Sequence, residues 1–196
     1  MLKKNLLVSL LAFAGLLVGV SASAQTSTSQ MYVGGTVGQA KWNDRCIDAI
    51  KCDTTSTAYK LVGGYNVDKN FALEASYFSL GKVAATVKSG NATGYTDAKA
   101  TGFELAGVVK HNFTDEFGGF AKFGLARVSA TANRNVPGVL SATQDTTSTQ
   151  PVFGFGLTYN VTKELALLTE FESRRVKLGT DKDRVNNFSV GMQYSF

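Results

Sequence analysis

The chain has 196 residues, of which 44% are apolar, 18% charged and 11% aromatic, with a formal charge of +5. That composition excludes a disordered polymer, and a mean hydropathy of −0.01 excludes a bundle of several membrane-spanning helices. Twenty glycines against two prolines, without a three-residue period, exclude a Pro-rich stalk and a collagen.

The first segment reads as an export signal. Lys3 and Lys4 precede an apolar run from Leu6 to Val20, and Ala22-Ser23-Ala24 follows with small residues at the positions a signal peptidase needs. Cleavage is expected after Ala24, dividing the chain into a signal at 1–24 and an exported domain at 25–196. No cysteine stands at the cleavage site, which argues against a lipid anchor. Loss of Lys3 and Lys4 lowers the charge by two. The longest basic cluster left, Arg174, Arg175 and Lys177, is too small for a nucleic-acid-binding face. Cys46 and Cys52, the two cysteines, are expected to form a structural disulfide closing a small loop in an oxidising compartment. Their spacing suits no common zinc site, and the single histidine, His111, is remote. No metal or cofactor is expected.

From Met31 onward the pattern alternates at period two, the signature of strands with two unlike faces. The first strand, near Met31 to Ala40, is the faintest, with Val33, Gly35 and Val37 on its apolar side. Tyr59, Leu61, Gly63 and Tyr65 alternate with Lys60, Val62, Gly64 and Asn66. Phe71, Leu73, Ala75 and Tyr77 alternate with Ala72, Glu74 and Ser76. Phe103, Leu105, Gly107 and Val109 then oppose Gly102, Glu104, Ala106 and Lys110. Ala121, Phe123 and Leu125 oppose Lys122, Gly124 and Ala126. Phe153, Phe155, Leu157 and Tyr159 oppose Gly154, Gly156, Thr158 and Asn160. Leu165, Leu167 and Phe171 oppose Ala166, Glu170, Glu172 and Arg174. Last, Phe188, Val190, Met192, Tyr194 and Phe196 oppose Asn187, Ser189, Gly191, Gln193 and Ser195. Eight strands of about ten residues are expected, the length a tilted membrane strand requires.

The connections alternate too. Asn66–Phe71, Asn112–Phe117 and Asn160–Leu165 are short and alike, each running from Asn through polar residues to an apolar strand position. Segments near 42–57, 82–98, 131–149 and 177–184 are read as long polar loops. Short turns at one end and long loops at the other give the fold class: an all-β, eight-stranded antiparallel up-and-down transmembrane barrel with periplasmic turns and extracellular loops.

Charge decides which face meets lipid. The polar faces carry Lys60, Lys110, Lys122 and Arg174 against Glu74, Glu104, Glu170 and Glu172, whereas the apolar strand faces carry none. Balanced charge among Gly, Ala, Ser and Asn suits the crowded inside of an eight-stranded barrel. A buried lone charge is costly, so these eight residues are expected to form an ion-paired network filling the lumen. Counting across the turns sets Glu170 opposite Gly154 and Gly191. Tyr65, Tyr159, Tyr194 and Phe196 at the turn end, with Tyr77 and Phe78 at the loop end, are expected to form two aromatic girdles.

Tyr32-Val33-Gly34-Gly35, the hairpin Tyr59–Asn66 leading into Phe71-Ala72-Leu73-Glu74, and the ending Gly191–Phe196 resemble the small outer-membrane barrels related to the transmembrane domain of outer membrane protein A. In that family the final strand is read by the barrel assembly machinery, a role the resemblance implies for Tyr194 and Phe196. Outer membrane protein A itself continues into a peptidoglycan-binding domain; with Phe196 ending this sequence, cell-wall tethering is not expected of it.

The leading expectation is a non-enzymatic structural or surface protein of the Gram-negative outer membrane. It would have a plugged, charged lumen, lipid around it, and loops open to a host or surface ligand. A small pore for ions or hydrophilic solutes is the alternative. A lipid-modifying enzyme is less favoured because His111 stands beside the Asn112–Phe117 turn, away from the outer leaflet. A soluble lipid-binding barrel is the remaining rival. The Asn91, Asn112 and Asn160 sequons are read as chance matches.

Overall fold

The computed structural model describes residues 30–43, 49–89, 92–137, 140–178 and 181–196. The export signal and Cys46 lie outside these. Nine strands follow one another: β1 Met31–Trp42, β2 Ala49–Asp53, β3 Thr55–Asn66, β4 Phe71–Ser89, β5 Ala92–Asn112, β6 Phe117–Val136, β7 Leu140–Asn160, β8 Leu165–Leu178 and β9 Asp181–Ser195. Eight of them form a closed antiparallel barrel. β1 pairs with both β3 and β9, and β4 pairs with β5, so the ring has no free edge through its wall. β2 is an addition that pairs with the far end of β4.

The three short turns share one hydrogen-bond scheme. The carbonyls of Phe71, Phe117 and Leu165 each accept from two amides at the start of the turn, those of Val67 and Asp68, Phe113 and Thr114, and Val161 and Thr162. One side chain in each, Asp68, Thr114 or Thr162, accepts from the two amides that re-enter the strand. Such local side-chain acceptors are why Asp and Thr favour reversals. The amide of Phe196 donates to the carbonyl of Met31, so both ends of the barrel chain meet at this same end.

The other end differs from the sequence expectation. The segments read as long loops are mostly strand: β4 has 19 residues, β5 21, β6 20 and β7 21. At about 3.3 Å per residue, their outer halves stand beyond any bilayer. Their inner parts still feed the apolar interior through Val83, Ala100, Val128 and Ala130; beyond these the strands are mostly polar with several Thr residues, whose branched Cβ favours extended backbone without an apolar stripe. Hence there was no apolar period to count. The β8–β9 reversal lies between Leu178 and Asp181, which are still paired.

Register differs by two residues on each side of Glu170. Glu170 stands opposite Gly156 and Ser189, while Gly154 faces Glu172 and Gly191 faces Leu168. The cause is that the 160–165 turn reverses between Asn160 and Ala166, which remain paired, and that β8 and β9 continue towards their tip. A shift of two keeps every side chain on its face.

Outside, the wall is apolar. Leu61, Leu73, Phe103, Leu105, Phe123, Leu125, Phe155, Leu157, Phe188 and Met192 are all exposed. No soluble protein would leave such a continuous belt to water. A bulge in β4 between Ser79 and Lys82 then reverses which side chains point inward, so that Val83 packs on the interior while Lys82 is exposed. Gly81 makes it possible: its φ is +70°, a backbone conformation that other L-residues rarely adopt.

Candidate functional site in the lumen

Inward side chains form three layers. At the hairpin end, Trp42, Phe78, Leu80, Val128, Val152, Val176 and Val185 pack with small alanines into a dry apolar plug. The Trp42 indole donates to Ser56 Oγ at 3.3 Å, and Ser56 Oγ donates to the Leu80 carbonyl at 2.5 Å. These bonds pair the indole N–H and the Ser56 hydroxyl inside the plug.

Beneath the plug lies an ion cluster. Lys60 Nζ contacts Glu170 and lies 2.8 Å from Glu172 Oε1. Lys122 Nζ contacts Glu170, lies 2.9 Å from Glu172 Oε1 and 3.5 Å from Glu74, and reaches Glu104 at 3.9 Å. Arg174 Nη2 is 2.6 Å from Glu172 Oε2 and 3.2 Å from Glu104. Glu172 has no exposed surface, and Lys60, Glu104, Lys122, Glu170 and Arg174 are almost as deeply buried. β3, β4, β5, β6 and β8 each contribute, so the cluster ties five strands through the barrel axis. Nε and Nη1 of Arg174 have no hydrogen-bond partner among the described residues. Its guanidinium instead lies 3.9 Å from the centroid of the Phe78 ring, a cation–π contact joining the ions to the plug.

Below, at the turn end, a vestibule of about 700 Å³ opens between the three turns and ends against Lys60, Lys122 and Glu170. Lys110 sits here rather than among the ions. Its Nζ donates to Asn66 Oδ1 at 2.9 Å and lies 4.1 Å from the Tyr32 ring centroid, and it makes no ion pair among the described residues. Lys110 is close to the end of β5, and Tyr32 stands between it and Glu74.

Tyr32 itself was not singled out from the sequence. It is 1% exposed and donates from its hydroxyl to Glu74 Oε1 at 2.8 Å. Its parity, opposite to Val33 and Val37, is the signal that would have found it. Gly64 makes the space: a Cβ there would overlap the Tyr32 ring.

Phe78 is a correction. It faces the lumen, not a girdle, and is 1% exposed. Tyr77 does face out, with its ring 5.2 Å from that of Phe103. At the turn end Tyr65, Tyr159, Tyr194 and Phe196 are exposed, with Phe117 4.8 Å from Tyr159 and Phe196 6.3 Å from Tyr194. His111 lies at the turn end with its ring edge-on to Phe113 at 5.4 Å. Of the two cysteines, Cys52 stands in β2 and Cys46 is outside the described residues. Among the described residues no group of three His, Cys, Asp or Glu side chains is placed to hold a metal ion.

With the closed ring, apolar belt and charged interior established, the comparison with known families is decisive. Residues 9–196 match the outer membrane protein beta-barrel domain. The chain belongs to that family. Outer-membrane barrel proteins of this kind reside in the Gram-negative outer membrane, with their short turns towards the periplasm. Among curated family relatives, outer membrane protein A of Salmonella typhi is 28% identical over 204 residues, covering 100% of this chain and 56% of the relative. The chain thus spans about half the length of the curated relatives it matches. Two solved structures share the fold. Neisserial surface protein A has a TM-score of 0.61 at 15% identity, covering 85% of this chain and 97% of its own. OprG from Pseudomonas aeruginosa has a TM-score of 0.55 at 14% identity, covering 86% and 96%.

Proposed function

We propose that this protein is a non-enzymatic surface barrel whose lumen is sealed and whose outer hairpins make the functional contacts. The carrying observation is the succession of two barriers along one axis. The buried ion cluster of Lys60, Lys122, Arg174 and the four glutamates is followed by the Trp42–Phe78–Leu80 plug. An ion leaving the vestibule would meet a desolvated salt-bridge layer and then an apolar one, each unfavourable to a hydrated charge. The hairpins beyond the wall, which carry many Thr, Ser, Asn and Asp side chains, supply the surface available to a host or environmental ligand.

Planar-bilayer recording of the purified barrel tests this. No steady conductance is expected, and reproducible single channels would overturn the sealed reading. The small-pore alternative draws on one observation, the vestibule that opens at the turn end and has Lys122 and Glu170 in its lining. Catalysis on outer-leaflet lipid is disfavoured by the place of His111 at the opposite end. An export signal at 1–24 with an exported barrel at 25–196, a Cys46–Cys52 bridge, and recognition of Tyr194 and Phe196 by the assembly machinery complete the proposal. Mass spectrometry of the mature chain under non-reducing conditions would reveal the first two features.

A further inference from the structure

The vestibule at the turn end carries charges of opposite sign at two depths, and neither set is matched. Deep in its wall stands Lys110, whose Nζ donates to Asn66 Oδ1 at 2.9 Å and lies 4.1 Å from the Tyr32 ring centroid. An ammonium has three N–H groups to place, and neither of these neighbours brings a negative charge. Glu74, beyond the ring, is engaged by the Tyr32 hydroxyl at 2.8 Å and by Lys122 at 3.5 Å. The other deep cations, Lys60 and Lys122, are bound to Glu170 and Glu172. Among the described residues Lys110 has no counter-ion. At the rim the imbalance is reversed. Asp68, Asp115, Glu116 and Glu164 stand there against Lys69 and Lys163, and among the described residues none of the six forms an ion pair. Between the two depths the wall is uncharged, with the amides of Asn112, Asn160 and Gln193 beside the apolar Val62, Val108 and Phe120.

We propose that this vestibule is a binding site for a short periplasmic peptide with free ends, its carboxylate on Lys110 and its α-ammonium among the rim acids of the β5–β6 turn. A cavity of about 700 Å³ lies in the size range of small-molecule sites. The charge pattern selects a zwitterion. A carboxylate supplies the acceptor that Lys110 lacks, in a charge-assisted hydrogen bond, whereas a dianion such as phosphate would be repelled by the rim and by Glu74 and Glu170. The spacing selects a peptide over a single amino acid. β5 runs only two residues past Lys110, to Asn112, so the Asp115–Glu116 tip stands on the order of 10 Å from the ammonium. Three extended residues span about that distance. The uncharged wall between them offers amides to pair with peptide N–H and C=O groups, and apolar surface for small side chains.

The test is equilibrium dialysis of isotopically labelled trialanine against the folded full-length barrel in uncharged maltoside micelles, with empty micelles as the blank. Saturable uptake is expected. Trialanine amide, which has no carboxylate, should bind about tenfold more weakly, the loss expected when one hydrogen bond to a charged group is removed. K110M should show the same loss for trialanine and no further loss for the amide, while K110R keeps part of the affinity; heat-modifiable mobility reports that each variant is folded. D115N/E116Q should weaken trialanine about threefold, as exposed ion pairs contribute little, and leave N-acetyl-trialanine unchanged. Absence of saturable uptake would overturn the proposal, as would equal binding by K110M or equal binding of the amide. Acetate or inorganic phosphate binding as tightly as trialanine would assign Lys110 to any small anion and overturn the peptide.

Discussion

The hydroxyl of Tyr32 donates to Glu74 Oε1 at 2.8 Å, across a lumen in which Glu74 is also 3.5 Å from Lys122 Nζ. With Lys110 over the other side of the ring at 4.1 Å, Tyr32 mediates between the vestibule and the ion cluster. The cluster proper holds three cations and four carboxylates, and Lys110 supplies the fourth positive charge through this aromatic intermediary.

Tyr32→Phe removes the hydroxyl and keeps the ring. A hydrogen bond to a buried carboxylate contributes about 1–3 kcal/mol, so urea unfolding of the barrel in micelles should show a loss of that size. Lys110→Met should lose less, since it leaves the Tyr32–Glu74 bond in place. A Tyr32→Phe barrel as stable as the parent would remove Tyr32 from the network.

Glu172→Gln keeps the shape of a fully buried side chain and deletes a charge facing Lys60, Lys122 and Arg174. Leaving buried cations undercompensated costs about 3–5 kcal/mol. Adding Lys60→Met should recover part of that loss, because one of the excess cations is withdrawn. A double-mutant cycle in urea measures this; strict additivity would mean the two residues act separately.

Phe78→Ala opens the plug and exposes the face of the Arg174 guanidinium. The expected cost is about 3–5 kcal/mol, in line with other buried aromatic truncations. Bilayer recordings of this variant should stay silent, since the ion cluster still blocks the axis. Channels in Phe78→Ala would show that the apolar layer alone held the seal.

Excision of residues 133–143 with a Gly-Asn closure should leave the barrel intact. Ala132 and Gln144 are already paired across the hairpin, and the described residues removed pair only with one another and with Tyr95–Asp97 on the outer part of β5. Retention of heat-modifiable mobility is the expected result. Loss of folding would mean that the projecting hairpin stabilises the wall.

Much of this architecture was legible at period two. Parity alone put Lys60, Glu74, Glu104, Lys122, Glu170, Glu172 and Arg174 on one face, and that face is the lumen, because a two-sided strand has only two places to send a charge. Parity does not report height along the barrel, so Lys110 was grouped with ions it stands apart from. Nor does apolar character reveal a direction where both faces are hydrophobic. Phe78 looked like a lipid-facing aromatic beside Tyr77, although strict alternation from Phe71 assigns it inward. The outer halves of β4 to β7 were illegible for a different reason. Past the residues that reach the plug, such as Val83, Ala100, Val128 and Ala130, they need no apolar stripe, and backbone pairing is enough to extend them.

Those lengths are not spread evenly around the ring. β4, β5, β6 and β7 are neighbours and have 19 to 21 residues, whereas β8, β9, β1 and β3 are neighbours and have 12 to 15. The barrel therefore has a front and a back. Among the described residues, β4 to β7 rise as a parapet on one side of the ring while β8, β9 and β1 end lower, so a large molecule sliding along the cell surface would meet the β4–β7 side as a rampart.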